Sequence, residues 1–242
     1  MQTLSVALSP LDSARFGVVA ARADEVTAND LPALLEFCAE HEVELLIARC
    51  DGADLGALRA LTAAGLRALD AQIVFEGLPE AVRDSRFRPA TAADGDAIAA
   101  LARVSFDRYA GHYQADPRLD VEACAEGYVD WALRGLAGEA ADVVFVAEIG
   151  GELAAFATVE QRDEEVIVHL AGVAESRQGS GLHAGVLGHA MAWAAERGAR
   201  GMVAITSHNN LSAQHNFIKL GLRPVSSTMT FHGWRDQLGL PR

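Results

Sequence analysis

The sequence predicts an α/β protein in which a truncated strand-helix-strand unit precedes a larger α/β domain. Three observations predict it. Apolar runs of strand length alternate with amphipathic segments along the chain. A glycine-rich turn, Gln178-Gly179-Ser180-Gly181-Leu182, stands between one such run and a helical stretch. A shift of 156 positions lays an early part of the chain on its C-terminal part.

The elements follow in order. Thr3–Leu8 and Phe16–Ala21 read as short strands, and Asp30–Glu40 as a helix with Leu31, Leu34, Leu35 and Cys38 on one face and Asn29 or Asp30 as cap. Val43–Ala48 has buried-strand length, Asp54–Ala64 is a second helix, and Leu69–Phe75 is a strand after Gly65. Gly77–Ser85 reads as a linker, so the chain divides into residues 1–78 and 86–242. The second part opens with strand Phe87–Pro89 and helix Ala93–Ser105, capped near Thr91. A polar segment, Asp107–Asp120, precedes helix Val121–Leu136. Strands Val143–Ile149 and Leu153–Val159 flank a Gly150-Gly151 turn, followed by strand Val166–Val173 and helix Gly181–Glu196. Strand Met202–Thr206, helix Asn210–Leu220 and strand Val225–Phe231 complete the order.

The internal echo joins the two parts. Gly65-Leu66-Arg67 falls on Gly221-Leu222-Arg223, and Phe75-Glu76-Gly77 on Phe231-His232-Gly233. Asp54, Ala57 and Leu61 fall on Asn210, Ala213 and Phe217. The early copy has no glycine-rich turn, so it is expected to pack and not to bind a cofactor.

Composition narrows the class. The chain has 242 residues, half of them hydrophobic, enough for a sizeable core. No apolar run approaches the ~20 residues of a membrane span. The opening Met1-Gln2-Thr3-Leu4-Ser5 lacks a basic-then-apolar signal. A net charge of −13 speaks against nucleic acid and anionic membranes as partners. An anionic ligand must then be held by local dipoles and a few cations. Cys38, Cys50 and Cys124 are scattered, with no metal or redox spacing. They read as reduced thiols of a cytoplasmic protein, and no metal is expected.

The glycine turn carries the chemistry. Backbone N–H groups at a helix N-terminus converge on an anion, and glycine lets phosphate oxygens approach the backbone closely. No Gly-Lys-Ser/Thr follows, which excludes a kinase-type phosphate loop.

The pattern Gln178-x-x-Gly181-x-His183, with Asn210-x-x-Ala213 and Gly221-Leu222 downstream, resembles the GCN5-related N-acetyltransferases. Their signature is Gln/Arg-x-x-Gly-x-Gly/Ala, and His183 replaces its last small residue. The resemblance implies the acetyltransferase fold, a mixed central sheet flanked by helices, here preceded by a truncated half-copy. It implies acetyl-CoA as donor and no metal. Ala171, Gly172 and Val173 would receive pantetheine and polarise the thioester, and Gln178, Gly179, Ser180, Gly181 and Leu182 would hold pyrophosphate. His183 could touch a phosphate, and Asn210 would contact the pantetheine arm or anchor its loop. The family's tyrosine acid is replaced by Phe217, which has no proton to give and is expected to pack against the cofactor.

The half-copy layout narrows the resemblance. Leu11-Asp12-Ser13-Ala14-Arg15-Phe16-Gly17, Phe106-Asp107-Arg108-Tyr109, Asp116-Pro117 and Tyr128-Val129-Asp130-Trp131 are similar to elements of the sugar N-acetyltransferases of the TDP-fucosamine group. That similarity implies the amine of a nucleotide-linked aminodeoxysugar, such as a TDP-aminosugar, as acceptor, attacked directly in a ternary complex. Arg108, Tyr109, His112 and Tyr113 are candidate acceptor-binding residues. His169, His208 and Tyr109 are candidates for proton handling, since an unperturbed histidine titrates near 6.5. The tail Trp234–Arg242 suits a short cap or a homodimer contact. Two rivals stay open: an acetyltransferase for another small-molecule or peptide amine, and a non-catalytic acyl-CoA-binding module.

Overall fold

The computed structural model describes residues 4–78, 80–107, 109 and 111–239. These form two compact units. The first takes Met1–Ile73, Ala110–Ala123 and Ser226–Arg242; the second takes Val74–Tyr109 and Cys124–Val225. The units are therefore not the stretches 1–78 and 86–242, because two later segments join the first unit.

The first unit opens with strand β1 (Ser5–Leu8), helix α1 (Pro10–Phe16) and strand β2 (Ala20–Asp24). Helix α1 was not expected from the sequence, and the strand expected at Phe16–Ala21 begins only at Ala20, as β2. The helix's own stop and start signals explain it. The Ser9 side chain caps the first turn by accepting from the Asp12 N–H, Pro10 sits at the helix start, and Gly17 ends the helix at φ 66°. Helix α2 (Leu31–Glu40), strand β3 (Leu45–Asp51), helix α3 (Leu55–Ala63) and strand β4 (Arg67–Gly77) follow. The β4 strand begins in the first unit and ends in the second.

β1 is antiparallel to β2, β2 is parallel to β3, and β3 is antiparallel to β10 (Arg223–Trp234). Alternation gives this mixed sheet two faces. Leu46, Ala48, Cys50 and Phe231 face Leu34, Cys38, Ala57 and Leu61 of α2 and α3 in an apolar core. Arg22, Arg49, Thr230 and His232 alternate with those residues and are polar. That polar face belongs to α1 and the 111–120 segment.

The second unit holds β5 (Phe87–Pro89), α4 (Gly95–Phe106), most of α5 (Val121–Leu136), β6 (Val143–Ile149), β7 (Glu152–Arg162) and β8 (Glu165–Val173). It then holds α6 (Leu182–Ala195), β9 (Gly201–Ser207) and α7 (Leu211–Lys219). β5 through β8 pair antiparallel in succession, and β8 pairs parallel with β9. The β6–β7 hairpin turns at Gly150 and Gly151, both at positive φ, as a two-residue hairpin requires. Ile98, Leu101, Ala102 and Phe106 of α4 and Tyr128, Val129 and Ala132 of α5 pack on Val144, Val146, Phe156 and Leu170. Gly172 permits this close approach, because a Cβ there would lie 2.5 Å from the Phe156 ring.

Candidate active site

The site begins with one extra residue. Thr158 pairs with Leu170 and Val159 with Val168, so His169 is left over as a β-bulge in β8. A bulge bends its strand and breaks the ladder. Accordingly, the β8–β9 register ends at Val168 opposite Ala204, although β8 continues to Val173 and β9 to Ser207. The strands fork there. The backbone of residues 169–173, including Ala171, Gly172 and Val173, is left facing the fork.

The glycine loop lies at the end of that strand. Gly179 and Gly181 adopt φ 77° and 80°, the left-handed region that favours glycine, and no atom lies within 4 Å of where either Cβ would be. Gly181 is the residue preceding α6 and offers no side-chain cap. The first N–H groups of a helix lack intrahelical partners, so those of Leu182, His183 and Ala184 join Gly181 as an open cradle with positive dipole. Ser180 turns its hydroxyl inward to the Arg177 carbonyl at 2.5 Å. The residues present fit a pyrophosphate.

Asn210 anchors the facing loop. Its Oδ1 accepts from the Ala213 N–H at 3.2 Å, capping α7, while its Nδ2 donates to Thr206 Oγ1 at 3.0 Å. Phe217 of α7 is 5 % exposed and packs against Phe75 (ring centroids 5.3 Å) and His183 (5.9 Å). His183 Nδ1 lies 3.3 Å from Asn216 Nδ2, and burial pulls its pKa below the ordinary histidine value.

The proton-handling candidates separate. His169 Nε2 lies 2.7 Å from Glu160 Oε2, and the imidazole rests near the Trp131 ring at 5.8 Å. The hydrogen bond from His169 holds the Glu160 carboxyl below its usual range. His208 is exposed just past β9, with its carbonyl taking a hydrogen bond from Gln214. Tyr109 reaches the fork itself, where its hydroxyl accepts from the Ser207 N–H at 3.2 Å. Its ring is held edge-on by Phe106 and Tyr128.

Of the acceptor candidates, Arg108 lies outside the described residues. His112 and Tyr113 belong to the first unit and are buried. Tyr113 donates to Asp12 Oδ1 at 2.6 Å and accepts from Arg22, whose Nε also bonds Asp12 at 2.6 Å. Burial alone would raise the Asp12 pKa. The hydrogen bonds and charge of Arg22, with Ser9 and Tyr113, outweigh it and hold the carboxyl well below the carboxylate range. Sequence reasoning missed Arg22, His232 and Trp234 as members of this polar cluster. The available signal was polar residues on one face of otherwise apolar strands.

The fork and its glycine cradle fit one fold family. Residues 106–222 match the acetyltransferase (GNAT) family. A spore coat polysaccharide biosynthesis protein of Bacillus subtilis strain 168, SpsD, is 29 % identical over 146 residues, covering 60 % of this chain and 50 % of that protein. The chain thus spans about half the length of that curated relative. A GCN5-related N-acetyltransferase from Sphaerobacter thermophilus superposes with a TM-score of 0.62 at 12 % identity, covering 96 % of this chain and 76 % of that one. Another from Kribbella flavida gives 0.59 at 18 % identity, covering 90 % and 82 %. Family match, forked parallel strands and glycine cradle agree: the protein has the GNAT fold, and its residues 106–222 match the model of the acetyltransferase (GNAT) family.

Proposed function

We propose that this protein is an acetyl-CoA-dependent N-acetyltransferase whose acceptor is the amine of a nucleotide-linked aminodeoxysugar. The observation that carries the donor is the bulge-opened fork ending in the Gly179–Gly181 cradle. The fork offers extended backbone to pantetheine, and the cradle offers unpaired N–H groups to pyrophosphate. The bound donor supplies an activated acetyl group. The chain supplies the Ala171–Val173 backbone to orient and polarise its carbonyl.

Direct attack is favoured by what the cysteines do. Cys38, Cys50 and Cys124 are buried, and burial pushes the Cys38 and Cys50 thiols up to about 11. Such thiols stay protonated at neutral pH and make poor acyl carriers. The aminosugar acceptor is supported by the polysaccharide role named for the Bacillus relative. A homodimer and a cytoplasmic setting belong to the same proposal.

The test pairs calorimetry of acetyl-CoA with a thiol-release assay on TDP-4-amino-4,6-dideoxygalactose and on peptide amines. Binding with release on the aminosugar supports the reading. Release only on other amines replaces the acceptor. Phe217 favours one second reading, an acyl-CoA-binding module, and binding without release on any amine would establish it. Absence of binding would overturn the donor site.

A further inference from the structure

The bulge that opens the fork is gripped from β7 by two side chains. Thr158 is fully buried, in a run from Leu153 to Val159 that is otherwise apolar. A buried hydroxyl needs a hydrogen-bond partner, and Thr158 Oγ1 has one: it accepts from the Leu170 N–H at 3.1 Å. Helix α5 closes over this contact. Its Gly135 makes the room, since a Cβ there would lie 3.0 Å from the Thr158 methyl carbon. Two residues along β7, on the same face, Glu160 Oε2 lies 2.7 Å from His169 Nε2. Glu160 therefore holds the bulged residue, and Thr158 holds the residue after it.

The bulge reverses the parity of β8. Directly opposed residues share a face of the sheet, and neighbours along a strand face opposite ways. Val168 lies opposite Val159 and Leu170 opposite Thr158, so Val168 and Leu170 point to opposite faces although two residues apart. Leu170 thereby joins Phe156 under α4 and α5. The backbone follows the same count. The Leu170 N–H points at β7, and four residues on the Ala174 N–H donates to the Ala154 carbonyl of β7 at 2.9 Å. Alternation then turns the N–H and C=O groups of Ala171 and Val173 to the other edge, which is the fork. A register without the extra residue would shift this pattern by one, turning Ala171 and Val173 to β7 and Gly172 to the fork.

We propose that Thr158 is a positioning residue for the acyl donor: its hydroxyl fixes the register of β8 past the bulge and so aims Ala171 and Val173 at the coenzyme. The proposal rests on the reading of the fork as the acetyl-CoA site. The apolar pattern of β8 does not ask for a bulge. Val166, Val168, Leu170 and Gly172 are all buried, at an unbroken period of two that suits a straight strand equally well. Burial therefore leaves the register open, and a directional contact has to select it. The Glu160–His169 contact is the weaker selector, because its side chains are 29 % and 21 % exposed and compete with water. The Thr158 contact is sealed under α5, where an N–H that loses its acceptor finds no water to replace it.

The test compares Thr158→Val, which keeps the shape and loses the hydroxyl, with Thr158→Ser, which keeps the hydroxyl. Calorimetry of acetyl-CoA should find Thr158→Val weakened by ~10–100-fold, the scale on which a buried N–H misses its acceptor, and Thr158→Ser within ~3-fold of wild type. Hydrogen exchange followed by NMR should show the Leu170 amide losing protection in Thr158→Val and keeping it in Thr158→Ser. A residue that merely stabilises the fold would lower the melting temperature and leave the affinity alone. Wild-type affinity in a folded Thr158→Val protein would therefore overturn the proposal, as would a Thr158→Ser protein as weak as Thr158→Val. Should Thr158→Val not fold, Thr158→Cys replaces the serine oxygen by a weak sulfur acceptor. Equal affinities of the Cys and Ser variants would then sink the idea. A wild-type protein that failed to bind acetyl-CoA would instead remove the donor reading. The Leu170 amide would still decide the register: protection lost with the hydroxyl upholds the staple, and protection unchanged disproves it.

Discussion

The β3-α3-β4 and β9-α7-β10 regions are two copies of one design with different ends. Strands Leu45–Asp51 and Gly201–Ser207, and helices Leu55–Ala63 and Leu211–Lys219, stand 156 positions apart residue for residue. Asp54 and Asn210 cap the two helices, Leu61 and Phe217 are buried at matching positions, and Gly65 and Gly221 turn at φ 93° and 88°. Each copy's first strand makes four parallel pairs with the strand before it, Ala20–Ala23 in one case and Glu165–Val168 in the other. The difference lies beyond that fourth pair. In the early copy the chain turns back at Glu25 (φ 56°), the Val26 N–H bonds the Arg49 carbonyl at 2.9 Å, and a Thr27/Asp30 capping box starts the next helix. In the late copy a bulge at His169 carries the strand away, and two glycines start the helix. One extra residue and two glycines separate a closed pair of strands from an open cradle.

The largest predicted effect breaks the late copy at its cradle. Gly179→Val with Gly181→Val places β-branched side chains at positive φ, and each such residue costs about 1–3 kcal/mol where the backbone must keep its shape. Acetyl-CoA affinity by calorimetry should fall at least ~100-fold, since 1.4 kcal/mol is a factor of ten. The melting temperature should fall as well, because the positive-φ strain remains although no atom lies within 4 Å of either Cβ position. Retention of affinity would show that the pyrophosphate sits elsewhere and that the comparison had picked the wrong difference.

The turn glycines sharpen the comparison next. Gly65 and Gly221 share a conformation but not surroundings. A Cβ on Gly65 would lie 2.4 Å from the Gln237 carbonyl oxygen, while one on Gly221 meets nothing within 4 Å. Gly221→Ala should cost about 1 kcal/mol for the left-handed backbone alone. Gly65→Ala should cost about 1–3 kcal/mol more, since overpacking is added to strain. Denaturant unfolding of both variants reads the difference, and equal losses would mean that the Gln237 turn yields freely.

The capping residues separate structure from function at smaller scale. Asp54→Ala and Asn210→Ala should each cost about 1 kcal/mol, as lost N-caps do. Only Asn210→Ala should also weaken acetyl-CoA, because Asn210 ties α7 to Thr206 at the fork. Equal coenzyme affinity in the two variants would make Asn210 a cap and nothing more.

Much of this design was legible in the chain. The glycine turn and the 156-residue echo are local patterns, and local patterns survive in sequence. Helix α1 was not, because Asp12-Ser13-Ala14-Arg15 has no long apolar period; its evidence is the Ser9-Pro10 start and the Gly17 stop, seven residues apart, which weigh little against strand-forming Val18 and Val19. The His169 bulge was invisible for a different reason. A bulge is a property of pairing between β7 and β8, and nothing in Val168-His169-Leu170 announces it. The pairing of Asp116 with His232 was equally hidden, since it joins residues 116 positions apart that meet only once β10 is placed.

The smallest predicted effect concerns the buried pair Leu61 and Phe217. The late copy carries an aromatic ring where the early one carries leucine, and that ring packs against Phe75 and His183. Phe217→Tyr adds one hydroxyl at a site only 5 % exposed. A buried phenol seeks a hydrogen-bond partner, and leaving it without one costs about 1–3 kcal/mol. The expected outcome is a lowered melting temperature with kcat changed less than about tenfold, because a thiol of pKa near 8.5 can depart as thiolate without an acid. A rise of kcat by ~10²-fold or more, the scale of general acid catalysis, would reverse the argument. It would show that leaving-group protonation limits this protein, and that the ring at position 217 holds turnover down as well as filling the space between α6 and β4.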